Sequence, residues 1–230
     1  MTGSEGIIAN LPTRRLLLAT GALGALGALL VGIGEFAMQF SPAGGYEAAD
    51  YGYFANVPPW RLTWGHFLGV LAAPLYLAGY VHVFLAMRPA PAWLRVTVLL
   101  LGIYGFMIGD VWLGSRVYLG LIVQAQATGL DSESLAALLT QAAAHNEPLI
   151  QVVRVVIGLA SLLFVGAVLS RHTLYPRWMA AFSPLALLAA VFVSYVAIPA
   201  IGVYLLPSAM NVAHFAFFSL SCLVLARARG

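Results

Sequence analysis

The chain contains no lysine, a single cysteine and very little charge of either sign. Only 8% of its 230 residues are Asp, Glu, Lys or Arg, whereas a soluble domain has about 25%. The formal net charge of +3 is too small and too dispersed for a nucleic-acid-binding protein. Because Cys222 stands alone, an intrachain disulfide and a cysteine-based metal cluster are both excluded. The sequence also lacks a glycine-rich phosphate loop and a nucleophile-elbow motif.

Long apolar stretches take the place of these features, since 62% of the residues are hydrophobic. Six stretches come close to the ~20 residues that are needed to cross a bilayer. We predict an all-α fold, a polytopic transmembrane bundle that forms one domain over residues 1–230. The least marked boundary is IGVYLLP, between the last two helices. The predicted helices are approximately 16–40, 62–87, 96–122, 149–170, 178–200 and 207–226.

Arginines mark one side of the predicted bundle. Arg14 and Arg15 precede the first helix, although PTRRLLLATGALGAL also resembles a twin-arginine export signal. The apolar run of about 25 residues exceeds the 7–15 of a signal peptide, which favours a first transmembrane helix. By the positive-inside rule, both termini are cytoplasmic, and loops 41–61 and 123–148 face outward. We expect a multi-pass protein of a bacterial inner membrane. The other flanking arginines are Arg88, Arg95, Arg171, Arg177, Arg227 and Arg229.

Titratable side chains occur inside the predicted helices at similar depths. Glu35, His66, Arg154 and His214 lie about four to seven residues from the outward helix ends, and Asp110 lies about a dozen residues in. A charge inside a bilayer costs at least ~2.5–3.5 kcal/mol, so such groups should face the interior of the bundle. We predict that they line one polar pocket that is reached from outside.

The stretch HNEPLIQVVRVVIG, at residues 145–158, shows the pattern within one helix. Glu147, Gln151 and Arg154 are separated by steps of four and three, which place them on one helical face. We predict that these three bind substrate, together with Arg116 and Asn211. The two arginines would hold an anionic or oxyanionic group.

Four residues are the catalytic candidates. Glu35 and Asp110 would act as general acid and base, while His66 and His214 would relay protons. The same side chains are acceptable zinc or iron ligands, but each comes from a different helix and no HExxH-like spacing supports a metal site. Haem between the two histidines is less suitable still, because the nearby charges favour polar chemistry. No cofactor is favoured, and no residue is assigned to a metal.

Two ion pairs offer an alternative explanation of these charges. Asp110 with Arg154, and Glu35 with Arg116, could simply lock neighbouring helices together. A lock needs only two partners, however, whereas five predicted helices contribute a titratable group at this depth. The pattern therefore favours a pocket.

A second group of polar residues follows in PLYLAGYVHVF, in the cytoplasmic half of the second helix. It contains Tyr76, Tyr80 and His82 after Pro74. His82 is 16 residues from His66, about 24 Å along a straight helix, so the two histidines cannot share a ligand. We interpret His82 as an interfacial histidine among aromatic anchors.

The stretches GEFAMQ and RLTWGHFLGVLAAPLYLAGYVHVF resemble a family of bacterial six-helix membrane proteins of unknown function. The resemblance covers mainly the first two helices. It implies the fold, and it implies that Glu35, His66 and His82 occupy positions that recur in the family. It implies no activity.

Three classes of function are compatible with these features. The first is a membrane enzyme of isomerase, cyclase or hydrolase type, whose outward-facing pocket acts on a lipid-like or isoprenoid-like substrate under an aromatic lid, YEAADYGYFANVPPW. The second is a small transporter or channel for a polar or anionic solute. The third is a structural or ligand-sensing subunit of a membrane complex. The expected partners are the bilayer and an amphipathic small molecule, with no nucleic acid; the chain could also form homo-oligomers.

Overall fold

The computed structural model describes residues 11–43 and 51–227, and every regular element within these ranges is helical. Five stretches are long and apolar enough to cross a membrane, which fits a multi-pass membrane protein. Three short 3-10 helices accompany the α-helices, at Gly52–Asn56, Arg177–Phe182 and Leu206–Ser208. The α-helices are α1 (Leu11–Gln39), α2 (Pro59–Ala86), α3 (Ala92–Ala127), α4 (Ser132–Leu169), α5 (Pro184–Ala197), α6 (Pro199–Leu205) and α7 (Ala209–Arg227).

The predicted loop at residues 123–148 is mostly helical, so that prediction is wrong. Helix α3 has 36 residues and α4 has 38, so each is more than about 50 Å long and exceeds the ~30 Å hydrocarbon core. The segment before Pro148 is rich in alanine and leucine, which favour helix without being apolar enough to look like a membrane span. Asp131 caps α4 by accepting a hydrogen bond from the Ser134 backbone N–H at 3.3 Å.

The predicted helix at 178–200 is interrupted. Its first part is a 3-10 helix, and α5 then begins at Pro184, where the Ser183 hydroxyl accepts from the Ala186 N–H at 3.4 Å. A proline disfavours helical backbone at the preceding residue, and Ile198, just before Pro199, has φ −137° and ψ 71°. Helix α5 therefore ends after 14 residues, whereas the stretch Pro199–Arg227 is long enough to span a membrane.

The helices form a ring in the order α1, α2, α3, α4, α5 and α7, in which α5 packs mainly on α7 and only lightly on α4. The closest approach is between α1 and α2, along a glycine seam. A Cβ atom on Gly27 would lie 2.6 Å from the Tyr76 backbone nitrogen, and one on Gly34 would lie 2.7 Å from the Gly65 oxygen. Small residues of this kind let two backbones touch.

The two ends of the bundle differ. At one end, which we call the arginine end, the Arg14 guanidinium donates to the Ala226 carbonyl at 2.9 Å. At the opposite end, residues 51–58 cover the bundle, and we call this the capped end. Arg61 lies there and donates to the Phe40 carbonyl at 2.9 Å, so this arginine departs from the one-sided pattern of the arginines that flank the helices.

His82 is fully buried, so its interpretation as an interfacial histidine is wrong. Its Nδ1 lies 2.7 Å from the Leu17 carbonyl and its Nε2 lies 2.7 Å from the Ser221 hydroxyl. Since a carbonyl can only accept, Nδ1 carries the hydrogen and Ser221 donates to Nε2. Tyr175 then donates to the Ser221 oxygen at 2.7 Å. These bonds join α1, α2 and α7 near the arginine end, through partners that are distant in the sequence.

Candidate functional site

A cavity of about 440 Å³ lies inside the ring of helices, a volume typical of small-molecule sites. Its polar lining comes from α1, α2, α3, α4, α7 and the segment after α1. The apolar lining includes Val31, Phe106, Leu113, Ile150, Val153, Ile157, Leu188, Phe192, Leu206 and Met210. The cavity therefore combines apolar walls with charged and hydroxyl groups.

Most of the predicted site residues line this one cavity. They are Glu35, Asp110, Arg116, Glu147, Arg154, Asn211 and His214. Two predicted residues do not line it. Gln151 is exposed on α4, and His66 is half-buried on α2, where its ring would be 3.8 Å from a Cβ atom placed on Gly114 of α3.

Glu35 is held between α1 and α7 by amide donors. Its side chain is buried, its Oε2 accepts from the Asn211 amide at 2.7 Å, and its Oε1 accepts from the Gln39 amide at 3.0 Å. Gln39 also donates to the Pro207 carbonyl at 3.3 Å. Because both amides donate to it, the arrangement suits Glu35 as an ionised carboxylate, which can only accept.

A chain of hydrogen bonds continues from Glu35 toward the capped end. The Gln39 side-chain oxygen accepts from the Tyr53 hydroxyl at 3.4 Å, and the Tyr53 oxygen accepts from Arg116 at 2.5 Å. Arg116 also forms an ion pair with Glu147 at 3.1 Å. We call these five residues the polar chain. It links α4, α3, the 3-10 helix and α1, and it connects Glu35 to a buried cation through two neutral side chains.

Aromatic rings surround the Arg116 guanidinium, which is 4.7 Å from the Trp112 ring centre and 5.3 Å from that of Tyr51. Such faces attract a desolvated cation. The Tyr51 hydroxyl donates to Glu147 at 2.8 Å. Burial raises the pKa of Tyr51 and of Tyr53, and the Glu147 carboxylate raises the pKa of Tyr51 further. Both phenols are therefore protonated at neutral pH and available as donors.

Tyr80 and His214 form a second polar pair deeper in the cavity, and both are buried. The His214 Nδ1 lies 2.8 Å from the Met210 carbonyl, so it carries the hydrogen, and Nε2 accepts from the Tyr80 hydroxyl at 2.8 Å. Tyr76 and Tyr80, which the sequence pattern assigned to a separate cytoplasmic group, both line the same cavity as Glu35. Their spacing of four residues, which puts both rings on one helix face, was the available signal.

Asp110 has a buried carboxylate oxygen that lacks a hydrogen-bond partner among the described residues. The same is true of His66 Nδ1 and Trp112 Nε1. His66 is close enough to Asp110 for the two to interact electrostatically. A buried acceptor without a partner costs about 1–3 kcal/mol. Asp110 also lines the cavity, so its carboxyl group is where a donor on a bound molecule would be stabilised.

Neither ion pair that the sequence offered as a helix lock is formed within residues 11–43 and 51–227. Arg116 pairs with Glu147, and Arg154 donates to the uncharged Gln151 at 3.2 Å. The antiparallel register of α3 and α4 explains this result, since Gly109 packs against Val153. That register places Arg154 about 12 Å closer to the arginine end than Arg116, and opposite residue 108.

The four candidate metal ligands do not form one centre. In the part of the chain that the structure describes, no three His, Cys, Asp or Glu side chains group so that they could hold a metal ion. Glu35 is instead bonded to amides, and His214 is bonded to Tyr80 and a carbonyl.

The predicted lid lies partly outside the described residues, because 44–50 are not among them. The described part is packed, with Tyr53, Phe54 and Val57 buried. The Gln124 amide donates to the Val57 carbonyl at 2.6 Å and so ties this segment to α3. Tyr51, which has a left-handed φ of 59°, turns its ring toward the cavity. This segment forms a fixed cover over the capped end.

Helices α4 and α5, on one side of the cavity, pack more lightly on each other than any other neighbouring pair in the ring. The two helices are joined near the arginine end, where the Leu185 N–H donates to the Ser161 hydroxyl at 3.2 Å. Toward the capped end, residues of both helices line the cavity, so the cavity separates them. They are Ile150, Val153, Arg154 and Ile157 on α4, and Leu188 and Phe192 on α5.

Comparison with known proteins gives a family but no activity. No curated protein and no solved structure matches the chain. One family model matches residues 15–228, a range that includes every residue of the cavity. The chain therefore belongs to a family of unknown function, DUF6796.

Proposed function

We propose that this protein is an integral membrane enzyme that performs acid/base chemistry on a lipid-like or isoprenoid-like substrate. The observation that carries the proposal is the Asp110 carboxyl group, which lines a cavity with mainly apolar walls and forms no hydrogen bond with another described residue. A carboxyl group that the fold leaves without a donor can exchange a proton with a bound molecule. The gap between α4 and α5 lets an apolar molecule enter from the bilayer.

The roles follow from what each group already contacts. Asp110, with its unpartnered oxygen, is the candidate general acid, and Glu35 is the candidate base. His214 and Tyr80 form a further pair that can pass a proton, because the Tyr80 oxygen still has lone pairs for a substrate donor. His66 acts on Asp110 from outside the cavity and is a positioning residue. An isomerase, cyclase or hydrolase would each use this set.

The proposed topology is six crossings with both termini cytoplasmic, in a bacterial inner membrane. Glu147 of α4 and Pro207, just before α7, both lie at the capped end, near Tyr51 and Gln39 respectively. Both α4 and α7 therefore run from the capped end to the arginine end. The chain between them must cross in the opposite direction, and we assign this crossing to residues 177–197. The cavity then opens in the outer half of the bilayer.

Transport is less well supported. The cavity reaches deeper than the sequence suggested, to Tyr80, but buried aromatic rings fill the bundle next to it. They are Phe164, Phe217 and Phe218. A role as a subunit of a larger complex needs neither an apolar cavity nor an unpartnered carboxyl group.

The test is incubation of the purified protein with a membrane lipid extract, followed by mass spectrometry. We expect Asp110→Asn to remain folded in detergent and to lose conversion of the substrate, because the amide cannot exchange a proton at neutral pH. Glu133→Gln, on the exposed part of α4, is the matched control and should behave like the wild type.

An opposite result would identify a structural role. If Asp110→Asn melts at a lower temperature, and if replacing both Asp110 and His66 by apolar residues restores the melt, the pair is a helix lock. The enzyme proposal would then be abandoned. Conversion of the same lipid by an intact Asp110→Asn protein would also refute it.

A further inference from the structure

Arg154 is the cavity cation whose charge no carboxylate balances within residues 11–43 and 51–227. Its side chain is exposed on a membrane-spanning helix and lines the cavity beside α5. Among the described residues, its only hydrogen bond is to the neutral Gln151 amide oxygen at 3.2 Å, and no carboxylate lies within 4.0 Å. Helical side chains lean toward the helix N-terminus, and the bond to Gln151 shows that the guanidinium leans in this direction, toward the capped end.

The second arginine of the cavity, Arg116, has its charge balanced by a carboxylate of the same bundle. Arg116 is 4% exposed, pairs with Glu147 at 3.1 Å, and lies against the ring of Trp112. Arg154 has neither a carboxylate nor an aromatic ring of a described residue around it. A cation in this environment costs at least ~2.5–3.5 kcal/mol, and an amide oxygen does not neutralise it. An anion brought by a ligand would remove this cost.

We propose that Arg154, assisted by Gln151, binds the anionic head group of an amphipathic ligand whose apolar part lies inside the cavity. Guanidinium groups bind carboxylate and phosphate oxygens through two parallel hydrogen bonds. The register of α3 and α4 sets the guanidinium close to the level of Asp110, on the side next to α5. A head group there directs the chain toward Phe106, Leu113 and Tyr76.

This inference rests on the proposed function only in taking the ligand to be the substrate. The anionic group could belong to a single-chain acid or phosphate, or to a phospholipid of the bilayer. Both present a charged oxygen group on an apolar chain, so the same two side chains would bind either. The experiment separates the two sources.

The test is a binding titration of the full-length protein in neutral maltoside detergent, followed by its thermal melt. The probes are dodecyl phosphate, dodecanol and dodecyltrimethylammonium, each well below its own micelle concentration, and phosphatidylglycerol. We expect dodecyl phosphate to bind and to raise the melting temperature, while the neutral and cationic analogues do not. Arg154→Gln should weaken the binding of the phosphate about 10- to 100-fold, as expected when a charged hydrogen bond is lost.

Arg177→Gln is the matched control, because it removes the same charge from an exposed position outside the cavity. It should bind dodecyl phosphate like the wild type. Binding of phosphatidylglycerol alone, also lost in Arg154→Gln, would assign the site to a bilayer lipid. Equal binding of anion and cation, or undiminished anion binding by Arg154→Gln, would overturn the inference.

The binding titration can be interpreted whether or not the protein converts a substrate. If Arg154→Gln loses anion binding while the lipid extract is unchanged by the wild-type protein, the head-group site stands and the enzyme proposal fails. If Asp110→Asn abolishes conversion of a lipid that binds without any preference for anions, the enzyme stands and the head-group site fails.

Discussion

At the scale of single residues, the space beside each glycine decides which glycines the fold requires. Those of the seam between α1 and α2 touch the opposite backbone, whereas Gly158 and Gly166 of α4 have no neighbouring atom within 4 Å of an added Cβ. The seam glycines therefore set a helix spacing, whereas Gly158 and Gly166 do not. That spacing also brings Glu35 of α1 and Tyr76 of α2 to the same cavity.

Gly27→Ala should destabilise the protein by about 1–3 kcal/mol, the usual cost of overpacking. The added methyl would be 2.6 Å from the backbone nitrogen of Tyr76, and a backbone cannot move aside as a side chain can. Gly158→Ala has open space and a better helix-forming residue, so its melting temperature should be unchanged or slightly higher. Thermal melts in detergent compare the two variants, and equal melting temperatures would contradict this account of the seam.

Ser221→Ala should be similarly destabilising without an effect on ligand binding. It leaves the His82 Nε2 and the Tyr175 hydroxyl without their partner in a buried site, which costs about 1–3 kcal/mol. The control is Ser194→Ala, because the Ser194 hydroxyl donates within its own helix, to the Ala190 carbonyl, and this bond is exposed. A wild-type melt for Ser221→Ala would show that the bonds around His82 do not hold the arginine end together.

At the scale of elements, the 3-10 helix Gly52–Asn56 connects the cover of the bundle to the candidate site. Tyr53 lies in it and accepts from Arg116 while donating to Gln39, so it fixes which way the Gln39 amide faces. That amide in turn donates to Glu35. The cover therefore orients Glu35 through side chains on two other elements.

Alkaline pH should weaken this element. The raised pKa values of Tyr51 and Tyr53 mean that the folded protein keeps its phenolic protons where unfolded tyrosine, with a pKa of ~10, loses them. The folded state then binds more protons, so the free energy of unfolding is fully retained below pH ~10 and falls as the pH rises above it. The chain has no lysine to titrate in this range.

Melting temperatures measured from pH 8 upward will show the effect, in a Cys222→Ser background that removes the only thiol. The loss above pH ~10 should be smaller in Tyr53→Phe than in the background protein, because one contributing phenol is gone. The quantity to compare is the change in melting temperature per pH unit, because Tyr53→Phe also lowers stability at every pH by removing two hydrogen bonds. An unchanged slope would contradict the assignment.

At the scale of the whole molecule, the proposed orientation determines which compartment the cavity faces. Most of the described arginines lie at one end of the bundle, and the cover and the Arg116–Glu147 pair lie at the other. Helices α3 and α4 are longer than the hydrocarbon core, so their paired ends extend beyond the cover on that side. The proposed topology makes this extension external.

Cysteine labelling of intact cells will test the orientation. In the Cys222→Ser background, Glu133→Cys on the extension of α4 should react with an impermeant maleimide, and Pro89→Cys at the arginine end should react only after lysis. Both positions are exposed. The reverse labelling pattern would invert the bundle and place the cavity opening toward the cytoplasm.

The sequence by itself determined the class of the protein and the depth of its charges. An apolar content of 62% leaves no soluble alternative, and the cost of charge in lipid pointed Glu35, Asp110, Arg154 and His214 inward; all four line the cavity. The sequence did not predict the helix ends, because the hydropathy that marks a membrane span does not mark where a helix stops. Residues 123–148 are polar enough to leave the bilayer and are still mostly helical.

Only the tertiary structure decided which charged groups are partnered. Which groups pair depends on the register between neighbouring helices, and sequence spacing does not encode this register. A shift of one helical turn between two helices would change the partner of a charged residue. In the folded protein Arg116 pairs with Glu147, Glu35 accepts hydrogen bonds from amides, and Arg154 donates to Gln151. The tertiary structure also buried His82 against Ser221, 139 positions away, because bonds between distant residues form only when helix packing brings their atoms within about 3 Å.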